Sequence, residues 1–139
     1  MRNTVFWIVG IVALLWNGFG LYNFYLTMVR DPVAMAQASP EMIALIDAAP
    51  EWRMILWGAC VFLGVLAAIA LLLRRAIAER IFWATVVGIL IGLIGWDLTM
   101  GNGIKAYGPG GLAFQGFIVA AQAGFALYAR WAARQGMLR

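Results

Sequence analysis

Residues 54–73 read MILWGACVFLGVLAAIALLL, an apolar run that contains no charged side chain and that ends at Arg74 and Arg75. An α-helix needs about 20 such residues to cross the hydrocarbon core of a bilayer, because it rises about 1.5 Å per residue. The run has this length. It therefore predicts one membrane-spanning helix.

Three more apolar runs have comparable lengths, at residues 4–28, 81–100 and 111–131. The first is longer than the apolar core of about 7–15 residues in a signal peptide, and its aromatic end at residues 21–25 does not resemble a cleavage site, so we expect it to be retained. The connection at 74–80 is short, which predicts an antiparallel hairpin of the second and third spans. The sequence thus predicts an all-α integral membrane four-helix bundle, with one domain over residues 1–139.

The composition favours lipid over water as the surroundings of this chain. Hydrophobic residues make up 65% of the sequence and charged residues 12%, whereas soluble domains are about half apolar and a quarter charged. A soluble chain of 139 residues could not bury so much apolar surface. The lipid bilayer is therefore the first expected partner.

The basic residues that give the net charge of +4 lie mainly at the ends of the spans, so we expect no nucleic-acid partner. Short cytoplasmic loops of membrane proteins carry an excess of Lys and Arg, and this excess predicts an N-in/C-in orientation. The cytoplasmic ends would then carry Arg2, Arg74, Arg75, Arg80, Arg130, Arg134 and Arg139, and the outer ends only Arg30, Arg53 and Lys105.

The longest loop, residues 29–53, is the first outer loop in this orientation. Asp31-Pro32 and Ser39-Pro40 each join a capping side chain to a proline at the first helical position, which indicates two helix starts. A short amphipathic helix is predicted at about residues 40–49 by an apolar stripe with helical spacing, formed by Met42, Leu45, Ile46 and Ala49. This helix would either lie on the membrane surface or cover an outward-facing pocket.

The connection at residues 99–111 contains five glycines and predicts a flexible turn. Its Gly-x-Gly element is not a nucleotide-binding fingerprint, because no strand precedes it and no βαβ pattern surrounds it.

Small residues recur at helical spacing on the first and third spans. Small side chains let helix backbones approach closely in lipid, where no hydrophobic effect drives helices together. These residues are therefore candidates for helix packing: Gly10, Ala13, Gly20, Ala84, Gly88, Gly92 and Gly95.

Five polar side chains on three spans are candidates for an outward-facing polar pocket: Asn17, Asn23, Asp97, Gln115 and Gln122. Counting residues from the span ends puts Asn17 and Gln122 near the middle of the membrane and the other three in its outer third. The amides would otherwise serve as hydrogen-bonding contacts between helices. Asp97 is either an interfacial carboxylate paired with Lys105 or Arg53, or a proton, cation or solute site.

The residues that usually carry chemistry are scarce. The chain has no His and one Cys, Cys60, so an internal disulfide is impossible and a redox or zinc site is not expected. No nucleophile–base pair and no close acidic pair occurs within a span. We therefore expect no enzyme activity, no catalytic residue, no metal and no cofactor.

Three segments together resemble a group of small four-helix bacterial inner-membrane proteins, some of which are described as sugar transporters. They are Leu15-Trp16-Asn17-Gly18-Phe19-Gly20, Pro50-Glu51-Trp52 and Leu71-Leu72-Leu73-Arg74-Arg75. The resemblance covers roughly residues 1–100. It implies four spans and a multi-pass location in a bacterial inner membrane.

Two classes of function remain open from the sequence. The first is a non-enzymatic protein that acts through helix–helix contacts, as an accessory or assembly component of a membrane complex or as a homo-oligomer. The alternative is a small-solute transporter or solute-binding membrane protein with an outward-facing polar pocket. A weaker third possibility is an accessory subunit that holds pigment, quinone or lipid between its helices.

Overall fold

The computed structural model describes residues 1–139, and every regular element in it is helical. The elements are α1 (Arg2–Met28), α2 (Pro32–Gln37), α3 (Pro40–Ala48), α4 (Glu51–Leu72), α5 (Ile77–Gly92), which continues into a π-helical turn (Leu93–Asp97), and α6 (Gly103–Arg134). Four of these are long and apolar enough to cross a membrane: α1, α4, α5 with its π turn, and α6. The prediction of an all-α chain with four such helices is confirmed.

The four long helices pack mainly as sequential neighbours, with α1 against α4, α4 against α5, and α5 against α6. The first and last, α1 and α6, make no comparably extensive contact with each other. The fully packed core lies in the half of the bundle that holds both chain termini. It consists largely of alanines with two phenylalanines, Phe6 and Phe82, at its centre. Alanine allows the helix axes to approach closely where lipid surrounds them.

Most of the predicted packing residues lie at helix contacts. Gly10 faces Leu72, Gly88 faces the Cys60 sulfur, and a Cβ added at either glycine would collide with that neighbour. Ala13 and Gly92 are also buried, and Gly20 is half-buried beside α4.

Ala84 and Gly95 differ from this expectation, because both are exposed on α5 and its π turn. The helical rotation of about 100° per residue brings Thr85 rather than Ala84 into line with Gly88 and Gly92. Beyond Gly92 the π turn changes the rotation, so that Asp97 and not Gly95 points inward.

Two short helices, α2 and α3, connect α1 to α4. Each begins with a proline behind a capping side chain: Asp31 accepts a hydrogen bond from the Ala34 amide at 3.0 Å, and Ser39 accepts one from the Met42 amide at 3.1 Å. Leu45 of α3 is buried. The Asn102 amide side chain donates to the Glu41 carbonyl at 3.0 Å, so α3 is held against the start of α6.

The glycine-rich connection is shorter than expected, because α6 begins at Gly103 and not near residue 111. A side chain at Gly103 would collide with the Asp97 carbonyl, so this glycine permits the helix to start in close contact with α5. At Gly108 the backbone enters the left-handed region with φ 65°, and Pro109 follows. The glycines therefore create one tight contact and one kink in a largely helical segment.

Both termini and the α4–α5 turn meet at one end of the bundle. The Ala76 amide donates to the Arg139 carbonyl at 2.8 Å, and the Arg139 amide donates to the Arg74 carbonyl at 2.7 Å. The Arg74 guanidinium also lies over the Phe6 ring, 4.7 Å from its centroid. All seven arginines predicted for the cytoplasmic side thus belong to helix ends or turns at this end.

Candidate functional site

A cavity of about 550 Å³ lies in the half of the bundle opposite the termini. Its walls come from α1, α4, α5 and α6, and the apolar side chains of α2 and α3, including Met35, Met42 and Leu45, cover one end. The lining is mostly apolar with a few polar groups, which is the usual character of a small-molecule site.

All five polar side chains selected from the sequence line this one cavity. Asn17 and Asn23 come from α1, Asp97 from the π turn, and Gln115 and Gln122 from α6. Asp97, Gln122 and Asn17 are buried, with 2%, 3% and 6% of their surface exposed. The structure therefore brings all five groups to one cavity, although Asn17, Asp97 and Gln122 also make contacts between helices.

The Asp97 carboxylate forms a two-point ion pair with Arg53 at the first turn of α4. Arg53 Nε donates to Asp97 Oδ1 at 2.9 Å, and Arg53 Nη2 donates to Oδ2 at 2.7 Å. The Tyr107 hydroxyl donates a third hydrogen bond to Oδ2 at 2.7 Å. Both oxygens are thus engaged, and α4, α5 and α6 are joined at this point.

Two backbone features make room for the pair. Gly88 and Gly92 face inward, and in a regular helix Trp96 would be the next residue to do so. The π turn contains a hydrogen bond from the Leu98 amide to the Leu93 carbonyl. Its extra residue moves the inward position from Trp96 to Asp97. A Cβ at Gly92 would lie 3.0 Å from Arg53 Cζ. Because Gly92 has no side chain, the Arg53 guanidinium can lie close to the α5 backbone at this position.

This geometry decides between the two predicted partners of Asp97. Lys105 is exposed, whereas Arg53 makes the ion pair. The predicted pairing of Asp97 with Arg53 is thus present in the structure, and the carboxylate is buried. Its charge is balanced by Arg53, so the arrangement does not leave a free carboxylate for a cation.

Gln122 carries an unpartnered acceptor at the buried end of the cavity. The Thr85 hydroxyl donates its only proton to the Phe82 carbonyl at 2.7 Å, so Gln122 must approach Thr85 with its amide nitrogen, and Nε2 donates to Thr85 Oγ1 at 2.9 Å. Gln122 Oε1 is then buried without a hydrogen bond. An unsatisfied buried acceptor costs about 1–3 kcal/mol, so a donor group that reached Oε1 after a movement of the Gln122 side chain would be favoured.

The Asn17 side chain packs against α4. Its Nδ2 donates to the Ala13 carbonyl at 2.8 Å, which leaves Oδ1 facing the backbone of Gly64 on α4. A side chain at Gly64 would collide with that oxygen. Asn17 therefore serves both predicted roles, as a helix contact and as a cavity-lining amide.

Aromatic side chains form much of the remaining wall. The Trp16 ring lies 6.3 Å from Phe114 and 5.5 Å from Phe117, and these are contacts between α1 and α6. Trp57 packs edge-on against Phe24, with ring centroids 5.0 Å apart. Both tryptophans line the cavity.

Sequence reasoning missed Tyr107 and Thr85 as parts of this site. Tyr107 lies in the glycine-rich segment at a span end, where tyrosine is typical of the membrane interface. Thr85 is a common type of residue in an apolar helix, so its identity does not mark it as part of a site. Only its helical spacing with Gly88 and Gly92 indicates that it faces inward.

No group of three or more His, Cys, Asp or Glu side chains is close enough to hold a metal ion. The residues that line the cavity offer hydrogen bonds and aromatic surfaces.

Comparisons with models of protein families, with curated proteins and with solved structures gave no match to this chain. The resemblance to small bacterial inner-membrane proteins thus stays an expectation.

Proposed function

We propose that this chain is a small-solute transporter or solute-binding membrane protein, with the cavity as its solute site. The observation that carries the proposal is the gathering of five polar side chains from three spans around one cavity, with Gln122 Oε1 left without a partner. Polar groups within a membrane are costly and usually mark a pathway or a binding site. Their concentration at one cavity favours solute binding over separate packing roles.

The solute is uncharged in this proposal. Arg53 and Asp97 balance each other, and the other polar groups at the cavity are uncharged: the amides, the Tyr107 phenol, the Thr27 hydroxyl, the Cys60 thiol and the indoles of Trp16 and Trp57. An anion or a cation could obtain a full counter-charge here only by separating the ion pair, which is unfavourable in low-dielectric surroundings. A neutral solute with hydroxyl or N–H donors would leave the pair intact.

For the setting, we propose a bacterial inner membrane with both termini in the cytoplasm. The seven arginines at the terminal end of the bundle support this orientation, and the resemblance supports the bacterial membrane. The cavity then lies in the outer half, and α2 and α3 form an outer cover for it. We expect no chemical reaction at the site, because its carboxylate is fully engaged.

Thermal unfolding in detergent with a panel of uncharged hydroxylated compounds tests the proposal. The panel contains simple sugars, polyols, alkyl glucosides and monoacylglycerols. A ligand that binds only the folded state raises the unfolding temperature. We expect at least one compound to do so for the wild type and for the control pair Gln37→Leu/Gln135→Leu, whose glutamines are exposed and outside the cavity lining.

The pair Gln115→Leu/Gln122→Leu is the matched cavity variant, and we expect it to lose the shift. Equal shifts in all three proteins, or no shift with any compound, would count against the cavity as a solute site.

A second candidate is the assembly function, which one further observation favours. Gly116, Ala120 and Gly124 form an exposed small-residue stripe on α6, and both glycines have open space where a Cβ would be. Such stripes are typical of contacts between helices in membranes. A homodimer on this stripe would also suit transport, since alternating access usually relies on two related halves.

Subunit counting in lipid nanodiscs tests this second candidate. Gly116→Ile/Gly124→Ile is expected to give monomers, while Gly18→Ile, at an open position on α1, is expected to leave a dimer intact. A wild type that is monomeric at high protein-to-lipid ratio would remove this candidate.

A further inference from the structure

The cavity has a side opening between α1 and α6, the two long helices that do not pack along each other. Phe19 of α1 and Phe114 of α6 both line the cavity, yet they are 69% and 51% exposed. A side chain that lines a cavity and is also largely exposed marks its mouth. Below this mouth the seam is closed by Trp16, which contacts both Phe114 and Phe117.

The mouth lies in the uncharged, apolar part of both helices. No charged residue occurs in α1 after Arg2, and none occurs in α6 between Lys105 and Arg130. The residues on either side of the opening are aromatic. A polar solute arriving from water would have to cross this apolar band, whereas a lipid-soluble molecule is already there.

The end of the cavity nearer the membrane surface is covered. The apolar face of α3 lies over it, with Leu45 buried, and Asn102 holds α3 through the Glu41 carbonyl. An exposed ion pair between Arg30 and Asp47 joins the same segment to the end of α1. The end under α3 is therefore covered by protein, whereas the mouth between α1 and α6 is not.

The lining of the cavity extends along α6. Tyr107 and Gln122 both line it, on either side of the kink at Gly108 and Pro109. Most of the lining side chains are apolar, which suits the apolar part of an amphiphile.

The free polar groups in the cavity specify a hydrogen-bond donor. The structure leaves Gln122 Oε1 without a partner and gives the Asn17 side chain one hydrogen bond, which uses its nitrogen. Both groups carry a carbonyl oxygen that accepts no hydrogen bond. A hydroxyl or N–H group supplies a matching donor and leaves the Arg53–Asp97 pair intact.

We infer that the solute of this protein is an uncharged amphiphile that enters from the bilayer through the seam between α1 and α6. Its hydroxyl or N–H group donates to Gln122 and Asn17, and its apolar part lies along the aromatic wall toward Phe19 and Phe114. This inference rests on the proposed function, because it identifies the class of molecule that the same cavity takes.

Photolabelling in phosphatidylcholine vesicles tests the inference with two matched probes. The first is a monoacylglycerol with a diazirine in its acyl chain, which carries two hydroxyl donors; the second is the methyl ester of the same acid, which carries none. The labelled residues are identified by mass spectrometry. We expect the monoacylglycerol to label Phe19 and Phe114 saturably. The labelling of these two residues should exceed that of Phe62, which is exposed on α4 and serves as the control. The ester should show no such preference.

Gln122→Leu is expected to weaken the saturable labelling about 5- to 10-fold, as the loss of one buried hydrogen bond would, and Gln37→Leu is expected to leave it unchanged. Equal labelling by both probes, or equal behaviour of the two variants, would overturn the inference. Displacement of the probe by glycerol at comparable concentration would also overturn the inference, because the site would then take a solute from water. The proposed function would survive that result. If no saturable labelling occurs and no hydroxylated compound stabilises the protein, the proposed function fails as well.

Discussion

Arg53 and Asp97 are 44 residues apart in the chain and form a buried two-point ion pair, with donor–acceptor distances of 2.9 and 2.7 Å. The pair joins the first turn of α4 to the π turn at the end of α5. It lies at the lining of the cavity, and its charges balance each other there. A large part of the site's geometry therefore depends on this contact.

Removing one partner of the pair should destabilise the fold more than removing both. Asp97→Leu leaves the Arg53 guanidinium buried without its counterion, and loss of one partner of a buried pair costs about 3–5 kcal/mol. The double variant Arg53→Leu/Asp97→Leu removes both charges and should recover much of that loss. Thermal unfolding in detergent measures the difference, and equal stabilities of the single and double variants would show that the charges are not coupled.

Tyr107→Phe should lower stability by about 1.5–3 kcal/mol, because it removes a hydrogen bond to a charged, buried acceptor. Asp97 keeps both bonds to Arg53 in this variant, so the fold should persist. Tyr22→Phe is the matched control, since Tyr22 is 58% exposed and makes no side-chain hydrogen bond. The same unfolding assay applies, and the hypothesis fails if the two variants behave alike.

Gly92→Ala should destabilise the protein by about 1–3 kcal/mol, because its Cβ would crowd the Arg53 guanidinium in a packed position. Gly116→Ala offers the opposite case. Open space surrounds Gly116 on α6, and alanine favours a helix over glycine by about 0.5–1 kcal/mol. Chemical unfolding should therefore give Gly116→Ala a stability equal to or above that of the wild type, and Gly92→Ala a lower one. The reverse order would contradict the close contact between Gly92 and Arg53.

The proposed orientation predicts where a new cysteine can be reached. Gln37 on α2 and Gln135 beyond α6 are both exposed, and the native Cys60 is buried. A membrane-impermeant thiol reagent applied to intact cells should modify Gln37→Cys but not Gln135→Cys, with the unmodified wild type as the background. Labelling of Gln135→Cys alone would reverse the topology.

The spans could be predicted from the sequence because their signal is local: an apolar run of sufficient length ended by basic residues. The five polar candidates could also be chosen locally, since an amide or carboxylate within such a run is conspicuous. Their meeting at one cavity followed from estimates of depth. That step required only residue counts and the alternating direction of the helices.

The partners of these residues were not predictable in the same way. Asp97 points toward Arg53 only because the π turn shifts the inward position by one residue, and no pattern in residues 93–97 indicates that turn. Tyr107 reaches Asp97 because α6 begins earlier than its apolar run, across glycines that suggested a flexible connection. Gln122 meets Thr85 across two helices, and such a contact depends on the rotation of both.

The central claim is that the cavity between the helices holds a molecule through its amide oxygens. Native mass spectrometry of the protein, extracted gently in nanodiscs from the membranes in which it is made, tests this most directly. We predict a non-covalently bound molecule on the wild type and on Gln37→Leu/Gln135→Leu, and its loss from Gln115→Leu/Gln122→Leu. An empty wild-type protein, or the same bound mass on all three, would contradict the claim.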